Sequence, residues 1–318
     1  MNIYLSPSLS DFVSSAGKDK NRSTLQHLQR LGAMIEQLVA NGIIYGCIIA
    51  LAAIGLSMAY RILNFANFAH GDFLTLGAYL ALLFAASFNI DFSAACAMAI
   101  IATAAFAIAL DYAVWKPMRS KGASRTAVMI LSIGVSLSLR NLLIIIFNSD
   151  VKRFPLPVRE GMSLGGIVFT DLRIGVVFIA FAAMLLIHAL LSRTAMGKSM
   201  RALADNPDLA RISGIDVDKV IRHTWAVSMG LAALAGIMYG SITHINPNMG
   251  WSIILPMFAA AILGGIGNAY GAMAGGMIIG LSQEVSTAFL PAEYKTAVSF
   301  VIMIAMLLFR PKGLMGGR

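Results

Sequence analysis

The sequence predicts an all-α, polytopic integral membrane protein with about eight or nine transmembrane helices, and three observations carry that prediction. Hydrophobic residues make up 58% of the chain and charged residues only 12%, against about a quarter charged in ordinary soluble domains. Uncharged runs at 37–60, 73–90, 92–110 and 174–192 approach or reach the roughly 20 residues that a spanning helix needs, and 223–283 holds no Asp, Glu, Lys or Arg at all. The period-two alternation of an outer-membrane barrel is absent. Glycine is abundant, at 29 residues, which suits close helix contact in lipid. Cys47 and Cys96 fall inside expected spans, which argues against a disulfide framework.

Residues 1–33 are polar and carry Lys18, Lys20, Arg22 and Arg30. The long apolar run begins only after Glu36, late for a secretory signal, and no small-residue cleavage pattern follows it. This segment is expected to be a poorly ordered or surface-lying extension of a membrane domain over 34–318. Spans are expected at 37–60, 66–87, 92–115, 126–147, 173–192 and 222–243, then at 252–266, 268–289 and 292–310. The span at 252–266 is short enough to be broken or re-entrant. The basic clusters "KPMRSKGASR" and "RPKGLMGGR" contain no acid, so both are placed on the cytoplasmic side. Nucleic-acid binding would need a soluble basic surface, which this composition excludes. Fixing those clusters inside puts 148–172 outside, 193–222 inside and the N-terminus outside, the last against its own four basic residues.

The stretch 193–222 is too long and too patterned to be a bare connector. Thr194 is positioned to cap a first helix running to about Ala204. Asp205 or Asn206 caps a second, with Pro207 at its first position, where a missing N–H costs nothing. Gly214 is expected as its left-handed stop. Between them lie Asp208, Leu209, Ala210, Arg211 and Ile212, a short helix with a small apolar face and both charge signs, suited to a partner's groove. A plain solvated loop is the alternative, and the double capping favours docking. "MGKS" at 196–199 imitates the end of a phosphate-binding loop, but the first glycine is replaced by Ser192 and no strand precedes it. No paired-carboxylate, Ser-His-Asp or metal-spaced His/Cys constellation stands elsewhere, so neither catalysis nor a cofactor or metal is expected.

"LGGIGNAYGAMAGGMIIG" at 263–280 lacks the βαβ context and the acidic residue of a dinucleotide fingerprint. Gly267, Gly271 and Gly275 repeat every fourth residue, as do Gly276 and Gly280, which is the spacing of close helix packing. Gly264, Gly265 and Gly267 are expected to break the helix between two spans. Such breaks line cavities in transporters, so these glycines, with Asn246, Pro247 and Pro256, are candidates for a translocation path.

Two polar groupings stand out inside apolar sequence. Asn64, Asn67, His70, Gly71 and Asp72 fall in the turn expected on the inner side between the first two spans, where capping and backbone bonding would account for them. Arg140 lies inside a span about two turns from Asp150. Snorkelling outward is the favoured expectation for it; a buried ion pair or contact with a substrate carboxylate is the alternative.

"GIIYGCIIALAAIGLSMAYRILNFANFAHGDFLTLGAYLA", "MGKSMRALADNPDLARISGIDVDKV", "INPNMGWSIILPMFAAAILGGIGNAYGAMAGG" and "AEYKTAVSFVIMIAMLLFRPKG" resemble, in order, the segments of the branched-chain amino-acid type of ABC-transporter permease. The resemblance runs from about 34 to 313. It implies a non-enzymatic transport subunit of the bacterial inner membrane, working with a sibling permease, two ABC ATPase subunits and a periplasmic solute-binding protein. It also implies that Asp205 to Gly214 is the helix that docks on the ATPase, although the loop is only loosely like the EAA motif of other permease classes. A share in a cytoplasmic gate then becomes the sharper reading of Asn64 to Asp72. Relatives carry branched-chain or other amino acids, urea or short amides, so an amide permease is one alternative. A secondary transporter or channel is another, the first disfavoured by the lack of an internal repeat.

Overall fold

A computed structural model describes residues 9–157, 161–164 and 167–316; residues 1–8 of the expected extension lie outside this set. Helix α1 runs Leu9–Leu63, and from Ile48 to Ile54 every one of its residues is buried. A helix apolar and buried on all sides is the axis of a bundle rather than a wall. Next in the chain come α2 (His70–Leu82), continued by a π-helical turn over Leu83–Ser87, and α3 (Phe92–Leu110). A second π-helical turn, Asp111–Trp115, joins α3 to the short α4 (Lys116–Ser120). Helices α5 (Arg125–Phe147) and α6 (Asp171–Arg193) follow, then the short pair α7 (Ala195–Asp205) and α8 (Pro207–Ile212). The closing helices are α9 (Val217–Ile242), α10 (Met249–Gly264), α11 (Ala269–Ser286) and α12 (Lys295–Phe309).

The protein is a multi-pass helical membrane protein, as expected. Among the described residues, six helical stretches are long and apolar enough to cross a membrane, and α10 is apolar but shorter. The expectation of eight or nine spans also counts α2, α10 and α11, which fill the space between these six. Both ends of the bundle are tied. At the end expected inside, Lys116 pairs with Asp218 at 2.7 Å and Arg61 with Asp205 at 3.5 Å. At the other end Lys295 pairs with Glu284 at 2.6 Å, and Lys152 and Ile245 exchange backbone hydrogen bonds. A small antiparallel ribbon there, β1 (Met162–Leu164) and β2 (Ile167–Phe169), was not foreseen from the sequence. It meets α1 where the Gln37 side chain bonds the Val168 backbone.

Small residues set the packing. Gly276 lies against Ala50 and Gly280 against Gly46, where α11 crosses α1. On its other side α11 presents Gly271 to Gly264 and Gly275 to Ala260 of α10. The four-residue repeats therefore serve two contacts, one per helix face, which is the packing reading of the glycine-rich segment. With lipid as apolar as any leucine, such close approach supplies the dispersion contacts that hold the helices together. At the rim, α3, α5, α6 and α12 show Ile101, Ile145, Phe178 and Leu308 well exposed, as a lipid-facing surface requires.

A side chain at Gly280 would collide with the Gly46 backbone, whereas one at Gly134 meets nothing within 4 Å. Gly280→Leu is therefore expected to destabilise by at least the ~1–3 kcal/mol of an overpacked core, read as a lower melting temperature in detergent. Gly134→Leu should melt at or above the wild-type temperature, because leucine is the better helix former by roughly 1 kcal/mol.

Candidate functional site

The polar motif at 64–72 is not a surface turn. Asn64 closes α1 in the left-handed region, with φ of 60°, and Phe65, Asn67 and Ala69 are then buried. Its chain climbs back alongside α10, where Phe68 packs on Phe258 with ring centroids 5.2 Å apart. Helix α2 starts where the Ala52 carbonyl accepts from His70 Nε2 at 3.1 Å. Ala52 precedes the end of α1 at Leu63 by about 16 Å of helix, so His70 and Asp72 sit deep in the bundle. This corrects the expectation of an inner-side turn: a few extended residues at ~3.3 Å each cover that distance. Asn67 still acts as a turn residue, its side-chain oxygen accepting from the Ala69 N–H at 3.1 Å. Gly71 is required by contact with Gly250, since a Cβ there would lie 2.6 Å from the Gly250 oxygen.

Depth decides the fate of Arg140 too. It does not snorkel toward Asp150. Its Nε reaches Asp72 Oδ1 at 3.1 Å and its Nη2 reaches Asp72 Oδ2 at 3.3 Å. The Ser136 hydroxyl donates to the same carboxylate, which stands in the first turn of α2, where the helix dipole favours an anion. Pairing inside the bundle satisfies both charges at once, and leaving either alone there is costly. The Arg140 guanidinium lies 4.8 Å from the centre of the Trp251 ring at the head of α10. Trp251 and Ser136 were not singled out from the sequence. The spacing of Ser136 four residues before Arg140 was the available signal for one, and a tryptophan in an uncharged run for the other.

The path candidates separate. Asn246 and Pro247 lie in the lead-in to α10, Pro256 is buried within it, and Gly264 ends it. Gly265 and Gly267 adopt φ of 104° and 87°, conformations that favour glycine, and form the turn to α11. That turn is at the end expected inside, packed on the C-terminal segment, where the Met315 N–H reaches the Gly264 oxygen at 3.0 Å. The helix break is where the sequence expects it, but it is remote from Asn246 and Pro247.

The inner elbow has the expected capping. The Thr194 hydroxyl accepts from the Gly197 N–H at 3.0 Å. Asn206, rather than Asp205, caps α8, its side-chain oxygen accepting from Asp208 and Leu209 N–H at 3.1 and 3.0 Å. Asp205 is instead tied to Arg61 at the end of α1. Gly214 has φ of 82°, and the paired bonds Gly214 N–H to Arg211 O and Ile215 N–H to Ala210 O close the helix in the manner of a glycine stop. Ala210 is buried, while Leu209 and Ile212 are 61% and 85% exposed. Two large apolar side chains thus stand out on a rigidly bracketed helix, flanked by Asp208 and Arg211.

The site thus combines a multi-pass helical membrane bundle, an Asp72–Arg140 charge pair at depth and an apolar knob formed by Leu209 and Ile212. Residues 38–307 match the family described as "Branched-chain amino acid transport system / permease component", and the chain belongs to that family. It is 33% identical to the high-affinity branched-chain amino acid transport system permease protein BraD of Pseudomonas aeruginosa, over 89% of this chain and 95% of that one. It is 33% identical to LivH, the corresponding permease protein of Salmonella typhimurium, over 88% of this chain and 95% of the relative. Identity is 32% to a probable branched-chain amino acid transport permease protein of Methanocaldococcus jannaschii, covering 88% and 93%.

The cap at Asn206 yields a direct test. Asn206→Ala should weaken α8 by about 1 kcal/mol, seen as roughly fivefold faster amide exchange over 208–212. Melting of the bundle should stay unchanged.

Proposed function

We propose that this chain is one membrane half of an ATP-driven importer for branched-chain amino acids, seated in the bacterial inner membrane. A sibling permease would complete the path, two ABC ATPase subunits would drive it, and a periplasmic binding protein would deliver the solute. The family membership carries the reading of transport and of substrate class. The reading of the drive rests on α8: a helix capped at both ends resists bending, and its exposed Leu209 and Ile212 fit a hydrophobic groove on a partner. Nucleotide-driven movement of the ATPases would push on this helix. Arg61–Asp205 would pass the movement to α1 and so to the motif at Asn64, Asn67, His70, Gly71 and Asp72, biasing a two-state change of access. In that scheme the motif anchors the moving helices at depth, and ATP hydrolysis belongs to the partner subunits.

Uptake of radiolabelled leucine, with urea in parallel, in cells carrying this chain and its gene neighbours tests the proposal. ATP-dependent leucine uptake is expected. The double substitution Leu209→Glu/Ile212→Glu should cut it more than about tenfold, since losing the two apolar anchors costs over ~1.4 kcal/mol, and should abolish co-purification with the ATPase at unchanged membrane level. Urea uptake without leucine uptake would move the substrate, and leucine uptake that survives ATP depletion would overturn the reading.

A further inference from the structure

Asp72 and Arg140 differ in one respect that a purely structural pair does not need. The Asp72 side chain is 1% exposed and fully engaged, but that of Arg140 is 13% exposed. Its Nε and Nη2 make the bonds to Asp72 and Ser136. Its Nη1 donates to no protein acceptor among the described residues, leaving two N–H donors of the guanidinium fork available. The site lies about 10 Å from the outer end of α5, since Arg140 precedes Phe147 by seven residues at 1.5 Å each.

What adjoins this open corner is as telling. Trp251, against the guanidinium, is 48% exposed. Below it on α10, Leu255 and Phe258 are half-buried. These three residues recur at i, i+4 and i+7, so they share one helix face and form an apolar lane leading from Arg140 toward the inner end. Phe68 lines its lower part against Phe258. A cationic fork above an aromatic and aliphatic lane matches a molecule with a carboxylate at one end and a hydrocarbon side chain at the other.

We propose that Arg140 receives the carboxylate of the transported amino acid and that Trp251, Leu255 and Phe258 carry its aliphatic side chain. This rests on the reading of the chain as half of an amino-acid path. Asp72 and Ser136 then act as positioning residues: they fix the guanidinium plane by its Nε edge and turn Nη1 outward. Arginine suits this task better than lysine because its planar fork holds one carboxylate while offering donors to a second.

The test uses the complete transporter with its binding protein, reconstituted in proteoliposomes, and measures leucine uptake. Neutralising both charges with Asp72→Asn/Arg140→Gln keeps a hydrogen-bonded pair and leaves no lone charge. A purely structural pair would then be restored in both assembly and uptake, and that result would overturn the proposal. The expected result is an assembled complex, by gel filtration, whose uptake has fallen about ten- to hundredfold, the range for losing a charge-assisted hydrogen bond. If the double variant fails to assemble, Arg140→Lys and Trp251→Ala decide the matter. Each should raise the KM for leucine about tenfold or more, and an unchanged KM in both would overturn the proposal. Wild-type transporter that takes up no aliphatic amino acid would overturn the functional reading as well. Uptake by wild type together with full uptake by the double variant overturns the site alone.

Discussion

Close backbone contact around α1 is the constraint on which everything else depends. A helix buried on every side in lipid gains nothing from hiding apolar surface, because the solvent it leaves is apolar too. It is held by dispersion, which falls away within a fraction of an ångström of extra separation. Gly46 and Ala50 against Gly280 and Gly276, and Gly55 against the Ser228 carbonyl, bring neighbouring backbones into that range. The Ser228 hydroxyl, donating to the Gly55 oxygen at 2.5 Å, adds a bond that only such an approach permits. Helices α2 and α9 repeat the arrangement at Gly77 with Ala233 and at Gly236 with Leu74.

That framework allows α2 to begin at depth. Starting a helix inside a membrane protein exposes N–H groups that need acceptors. Here the preceding segment supplies Asn67, and α10 brings its own first turn alongside, where the Gly250 N–H reaches the Thr75 hydroxyl at 3.0 Å. Two helix starts thus meet at Gly71 and Gly250, each without a side chain and each therefore able to touch. The positive ends of both dipoles converge near the Asp72 carboxylate, which helps explain why an acid is tolerated there. Arg140 completes the neutralisation from a third helix.

The elbow of α7 and α8 is held differently. Its caps are local, Met200, Leu203 and Ala210 are buried against the bundle, Arg61 pairs with Asp205, and Leu209 and Ile212 stand exposed. A surface ion pair of that kind contributes little energy. What it does is join the loop to the end of the most deeply buried helix, the helix whose Ala52 carbonyl accepts from His70.

How much of this was legible in the sequence depends on the range of each interaction. Membrane class follows from composition alone. The two elbow helices, a cap at Thr194, a second at Asp205 or Asn206 and the stop at Gly214 follow from neighbours within four residues, as does the break at Gly264 to Gly267; the structure chose Asn206 for the second cap. Only the tertiary structure decided that Asp72 meets Arg140, because the two are far apart in sequence, Asp72 alone reads as a span-end residue and Arg140 alone as one that snorkels. It also decided that His70 lies three turns above the end of α1. Nothing in local periodicity records that the intervening residues rise back into the bundle instead of lying on its surface. Local hydrogen bonding is written in spacing, whereas depth and long-range charge pairing are set by which helices small residues allow to touch.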